Sequence, residues 1–135
     1  MVHNGRYRAI DKAQQYEDDI QNLYGGAANF NSRQYSAIVD GQLVNGVADN
    51  VVNINGRNVA IEAKFVEDWN RSLRNPLDTK PWAIAEQNKM LQQAKKYSNA
   101  FDEVIYHTNS QELADHYSQV FSQNGITNVT FEITP

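Results

Sequence analysis

The chain has 135 residues, a hydrophobic fraction of 41% and no apolar run near the ~20 residues that cross a bilayer, so one domain, residues 1–135, with a real core and no membrane insertion of its own is expected. It contains no cysteine, which excludes disulfides and zinc–thiolate sites. A net charge of −4 speaks against an ordinary nucleic-acid binder, and Met1-Val2-His3-Asn4-Gly5-Arg6 lacks the apolar stretch of a signal peptide.

Residues 7–23 read as a helix, because Ile10, Ala13, Tyr16, Ile20 and Leu23 recur at helical spacing ahead of Gly25-Gly26. Gln34 to Val39 alternates as a strand with Tyr35, Ala37 and Val39 on one face, and Asp40-Gly41 signals a turn. Leu43 to Ile54 and Val59 to Phe65 read as two arms of a hairpin about Asn55-Gly56, the strongest two-residue hairpin signal. In the second arm Val59, Ile61, Ala63 and Phe65 face the core, while Ala60, Glu62 and Lys64 face away, which predicts one covered and one working face. Residues 68–80 are irregular, broken by Asn75-Pro76. Pro81 suits the first position of a helix running from Trp82 to Ser98, with Ile84, Met90, Leu91 and Ala94 among its apolar positions. Glu103 to His107 is a short strand. Asn109-Ser110 offers a cap for a helix whose Leu113, Ala114, Tyr117, Val120 and Phe121 share a face and whose end is Gly125. Thr127 to Thr134 is the last strand. The order α-β-β-β-α-β-α-β predicts an α/β fold with a central mixed sheet of about five strands flanked by helices.

The hairpin carries the chemistry. Pairing Ile54 with Arg57 and Asn53 with Asn58, and so on back along both arms, sets Asp49 opposite Glu62. Directly opposed side chains lie ~5 Å apart, and like charges there destabilise. Lys64 points to the same face as Glu62. Two carboxylates are best relieved by a hard divalent cation such as Mg²⁺ or Mn²⁺, and a metal beside a lysine suits activation of water against a phosphodiester. Lys64 there orients the attacking water or meets developing phosphate charge. The plainer reading makes Asp49 and Glu62 surface acids and Lys64 their ion-pair partner.

Residues 64–96 carry seven bases (Lys64, Arg71, Arg74, Lys80, Lys89, Lys95, Lys96) against four acids (Glu67, Asp68, Asp78, Glu86), whereas the remainder holds five bases and twelve acids. That segment reads equally as a surface that steers a phosphate backbone and as solvated helix faces. The acidic remainder suits either a metal site or a basic partner. Arg71 and Arg74 are candidate phosphate clamps, against a role in structural ion pairs. Trp69 and Trp82 read as packing more than base stacking, and Asp40 is a weaker rival carboxylate. His107 and His116 are the histidines that could serve as a general acid.

This order, with Asp49 and Glu62-Ala63-Lys64 on consecutive strands, resembles the PD-(D/E)xK nuclease superfamily, which has the restriction-endonuclease fold. Ala48 stands where the motif's proline would be. Gln93-Ala94-Lys95-Lys96-Tyr97 matches the Q-x-x-x-Y pattern of some members, with Gln93 and Tyr97 on one helix face. The runs Arg71-Ser72-Leu73-Arg74-Asn75-Pro76, Trp82-Ala83-Ile84-Ala85-Glu86-Gln87 and Val104 through Ser110 are similar to the restriction-endonuclease-fold toxin domains of bacterial polymorphic toxins, of the contact-dependent inhibition and Rhs types. The resemblance implies a restriction-endonuclease-like core and a metal-dependent endonuclease acting on DNA or RNA, tRNA included. It implies Asp49, Glu62 and the Ala63 carbonyl as metal ligands, with Glu17 of the first helix completing the shell or holding its water. Gln93 and Tyr97 would shape the site or grip phosphate. A cognate immunity protein is implied, as is delivery from a larger bacterial toxin into the cytoplasm of a target cell. The alternatives are a non-catalytic α/β binding module, such as an immunity-type partner, and a metal-independent RNase using His107.

Overall fold

Asn55 and Gly56 both adopt positive φ, 53° and 83°, the left-handed pair that a two-residue turn needs to match the twist of its strands. The turn joins β3 (Val51–Ile54) to β4 (Arg57–Lys64) in the expected register, Ile54 opposite Arg57 and Val51 opposite Ala60. Asp40 and Gly41, with φ of 51° and 80°, make the same kind of turn between β1 (Gln34–Val39) and β2 (Gln42–Val47). The structure is a computed structural model that describes residues 5–26, 29–30 and 34–135, with side chains from Lys12 onward. Met1 to Asn4 and the Ile10 side chain of the expected helical stripe lie outside what is described.

α1 (Gly5–Leu23), α2 (Pro81–Ala100), β5 (Glu103–Thr108), α3 (Gln111–Gln123) and β6 (Val129–Ile133) complete the fold. It is α/β, with three helices and two sheets among the described residues. The main sheet runs β3-β4-β5-β6, antiparallel at β3/β4 and parallel thereafter, with α2 and α3 as the connections between its parallel strands. Pro81 opens α2, where a missing N–H costs nothing. Ser110 caps α3 by accepting from the Leu113 N–H at 3.1 Å. Asn109 ties the ends of β4 and β5: its side chain accepts from the Val66 N–H at 2.7 Å and donates to the Val66 carbonyl at 2.6 Å.

Four expectations are corrected. The main sheet has four strands instead of about five, because β1 and β2 pair only with each other. The single arm expected from Leu43 to Ile54 is two strands: Val47 pairs back to Gln34 while Val51 pairs forward to Ala60, so the chain changes partners and bends at Asp49. Both faces of the sheet are covered. Val59, Ile61 and Ile105 pack under Tyr16 and Ile20 of α1, whereas Ala60, Val104 and Tyr106 pack against Met90, Ala94 and Tyr97 of α2 and Leu113, Tyr117 and Phe121 of α3. The face that carries Glu62 is therefore core for most of its area. Leu23 falls outside the apolar stripe and is exposed.

Candidate active site

The bend at Asp49 positions the site. The Asn50 carbonyl accepts from the Ile61 N–H at 2.9 Å, which carries the β3/β4 pairing one step past Val51. Asp49 follows at the bend, close enough to Glu62 that its charge acts on that carboxyl. A cleft of about 300 Å³ opens there, lined by Glu17, Ile20 and Gln21 of α1, Asp49 and Asn50 of the bend, and Ile61, Glu62 and Ala63 of β4. A larger hollow of about 520 Å³ at the β1/β2 pair is lined by Gln34, Tyr35, Ser36, Asn45, Gly46 and Val47. Its lining holds no carboxylate, imidazole or amine, whereas the smaller cleft carries three carboxylates, Glu17, Asp49 and Glu62.

Glu62 is the unusual group. It is 4% exposed, and its Oε1 is buried without a hydrogen-bond partner. Its Oε2 lies 3.6 Å from the Lys64 ammonium. Burial pushes the Glu62 carboxyl up from 4.5 to about 7; Asp49 adds to the rise, and Lys64 and the Tyr97 hydroxyl pull it back. The Lys64 side chain is 14% exposed, and its ammonium stands 6.0 Å from the centre of the Tyr106 ring, within cation–π range. Tyr106 pairs with Glu62 across β4/β5 and donates its hydroxyl to Gln93 Oε1 at 2.9 Å. Glu17 is an exposed rim residue whose carboxyl is raised by partial burial, then by Asp49, with Lys64 opposing.

Asp49, Glu62, Ala63, Lys64 and Glu17 are thus gathered at one place. Tyr97 joins them: it is buried, senses Glu62 and Asp49, and stands edge-on to Tyr35 and Phe101. Gln93 reaches the site through Tyr106. Arg71 and Arg74 do not line the cleft. Arg71 is 89% exposed, pairs with Asp68 at 3.7 Å and borders a separate hollow with Phe65 and Ser72. The Arg74 carbonyl accepts from the Tyr117 hydroxyl at 2.5 Å. Lys64, Arg71, Lys80, Lys89 and Lys95 are paired with Glu62, Asp68, Asp78, Glu86 and Asp40, so the basic segment is largely neutralised where it stands. Trp69 packs beside His116, whereas Trp82 is exposed.

His107 does not suit a general acid. It is 2% exposed and lies in register with Ala63. Its Nε2 is 2.6 Å from the Tyr24 hydroxyl and its Nδ1 2.9 Å from the Thr134 hydroxyl. Burial lowers its pKa, against Glu132.

Tyr106, Gln21 and Asn50 were not singled out from sequence. Tyr106 is hidden in an apolar strand, and its place beside Glu62 follows only from the parallel register. Gln21 carried a readable signal: it lies four residues after Glu17, on the same helix face.

The donor set fits a hard divalent cation. Glu62 offers a buried oxygen with no hydrogen-bond partner among the described residues, which is what a cation would occupy, and Asp49 lines the same cleft. Among the described residues no three histidine, aspartate or glutamate side chains come together as a group that could hold a metal ion; the side-chain donors the cleft offers are Asp49 and Glu62, with Glu17 at the rim. No helix is long and apolar enough to cross a membrane among the described residues. No protein-family model, no curated protein and no solved structure matches the chain.

Proposed function

We propose that this domain is a metal-dependent endonuclease that hydrolyses phosphodiester bonds in DNA or RNA. The observation that carries the reading is the buried Glu62 carboxyl, with one oxygen unsatisfied among the described residues, sharing a cleft with Asp49 and paired with Lys64. A structural role alone leaves such an oxygen a cost of roughly 1–3 kcal/mol. Asp49, Glu62 and the Ala63 carbonyl would hold Mg²⁺ or Mn²⁺, with Glu17 completing the shell or holding its water. Bound there, the cation supplies Lewis acidity and a water of lowered pKa.

The chain's own residues orient and stabilise. Lys64 is held between the Glu62 carboxylate and the Tyr106 ring, so its ammonium is placed for the charge that grows on a non-bridging phosphate oxygen. Gln93 anchors the Tyr106 hydroxyl, and Tyr97 closes the buried side of Glu62. Arg71, exposed and paired with Asp68 at 3.7 Å, and Arg74 would meet a long substrate outside the cleft, not at the scissile group. The resemblance of the runs from Arg71 to Ser110 supports the wider proposal: this is the effector domain of a polymorphic toxin, delivered into a target cell and neutralised by a cognate immunity protein.

Incubation with plasmid DNA and total tRNA, with Mg²⁺ or Mn²⁺ and with EDTA, tests the activity. Cleavage that needs the metal and is lost in Glu62→Gln and Lys64→Ala is expected. Cleavage that survives EDTA, or either variant cutting at the wild-type rate, overturns the assignment. No cleavage of any polynucleotide favours the non-catalytic binding module.

A further inference from the structure

We infer that Gln21 and Asn50 form a side-chain bridge that positions Glu17 against the carboxylates of the cleft. This rests on the metal-centre reading above and adds two positioning residues to it. Gln21 Nε2 donates to Asn50 Oδ1 at 3.1 Å, and both residues line the cleft with Glu17, Asp49 and Glu62. Gln21 lies one helical turn after Glu17, so the two side chains share a face of α1. Asn50 follows Asp49 directly, and its carbonyl takes the N–H of Ile61, the neighbour of Glu62. The bridge therefore joins the helix that carries Glu17 to the backbone that carries Asp49 and Glu62.

Two other polar ties of α1 among the described residues run elsewhere. The Tyr16 hydroxyl donates to the Thr134 carbonyl at 2.7 Å, and Lys12 pairs with Glu67 beyond the end of β4. Those contacts, with the packing of Ile20 on Ile61, fix the helix on the sheet; the Gln21–Asn50 bond adds a polar tie to the residue next to Asp49. That tie lies one helical turn after Glu17, on the same face of α1. A carboxylate on a helix has enough side-chain freedom to drift from a metal, and a neighbouring amide bond that sets the helix position removes part of that freedom.

A double-mutant cycle tests the bridge, read as Mn²⁺ affinity of the full chain by calorimetry and paramagnetic resonance. Gln21→Leu is expected to weaken Mn²⁺ about 10-fold when Glu17 is present, the scale of lost outer-shell support. In the Glu17→Gln background the same change should have an effect of under about 2-fold. Exchanging the two amides, Gln21→Asn with Asn50→Gln, keeps the combined length and should restore most of the affinity. A purely structural role predicts equal weakening in both backgrounds, tracking loss of melting temperature; that result, or no weakening at all, overturns the bridge while leaving the metal centre standing. Absence of Mn²⁺ uptake by the wild-type chain overturns the metal centre, and the bridge with it.

Discussion

Replacing Glu62 by Gln should change how stability depends on pH, before any substrate is considered. Burial holds the folded carboxyl at about 7, against 4.5 ordinarily. Between those values the folded chain keeps a proton that the unfolded chain has released. Stability contributed by this group is therefore fully present below 4.5, declines as pH rises, and reaches its lower plateau above about 7. The window corresponds to roughly 3 kcal/mol, a large share of a total near 5–15 kcal/mol. Gln is neutral at every pH, so Glu62→Gln carries a constant burial cost and no slope from this position. Glu17, also raised, slopes the same way, and His107 and His116, lowered by burial, slope oppositely. All three are present in both proteins and drop out of the difference. Urea unfolding in EDTA at half-unit steps from pH 4.5 to 8 measures it. The wild-type chain should lose up to about 3 kcal/mol more than Glu62→Gln across that range. Parallel pH profiles would show that Glu62 is solvated or otherwise satisfied, and the argument for a cation at its lone oxygen would fall. Saturating Mn²⁺ should flatten or invert the wild-type slope, because binding selects the ionised carboxylate.

Lys64→Ala should cost up to about 1.4 kcal/mol more at pH 8 than at pH 5, because only at the higher pH is Glu62, at about 7 in the folded chain, ionised and in need of its partner; chemical unfolding at the two pH values checks this, and equal costs would refute it. Gly46→Ala should destabilise by about 1–3 kcal/mol, because the new Cβ would lie 2.5 Å from the Tyr35 hydroxyl and 2.6 Å from its ring. That ring has little room to yield, since it stands against Tyr97 and Phe101. Gly41→Ala has open space around it and should cost only its backbone conformation, about 1 kcal/mol; thermal melts of the pair separate crowding from strain, and a Gly46→Ala protein no less stable than Gly41→Ala would sink the crowding argument.

The hairpin register was legible because a single dipeptide, Asn55-Gly56, sets it. Once the turn is two residues long, a period of two places Asp49 opposite Glu62 and Lys64 beside it without further information. The helices were legible from spacing and from end signals that act locally, Pro81, Ser110 and Gly125 among them. What was hidden depends on contacts between segments distant in sequence. Glu62 and Lys64 look like a solvent face in isolation, because nothing in β4 announces that α2 and α3 fold over it. Tyr106 becomes part of the site only through a parallel pairing whose register no turn encodes. The split of Leu43 to Ile54 reflects two pairing partners, β1 for one part and β4 for the other, which composition does not reveal. The charge excess of residues 64–96 overstated their field, since Asp40 and Glu62 neutralise two of its lysines from outside the segment.

The separate β1/β2 pair has a consequence for motion. A two-stranded hairpin is marginal alone, and this one shares no strand with the main sheet; its order is borrowed from α2, through Tyr35 on Tyr97 and Phe101. Such a unit detaches at less than the free energy of global unfolding. When it does, Tyr97 loses its outer cover, water approaches the enclosed side of Glu62, and the carboxyl sheds its proton more readily. Breathing of a peripheral hairpin is thereby linked to the charge state at the centre of the domain, and amide exchange in Gln34–Val47 should slow when a cation holds Glu62 ionised and the core no longer gains from opening.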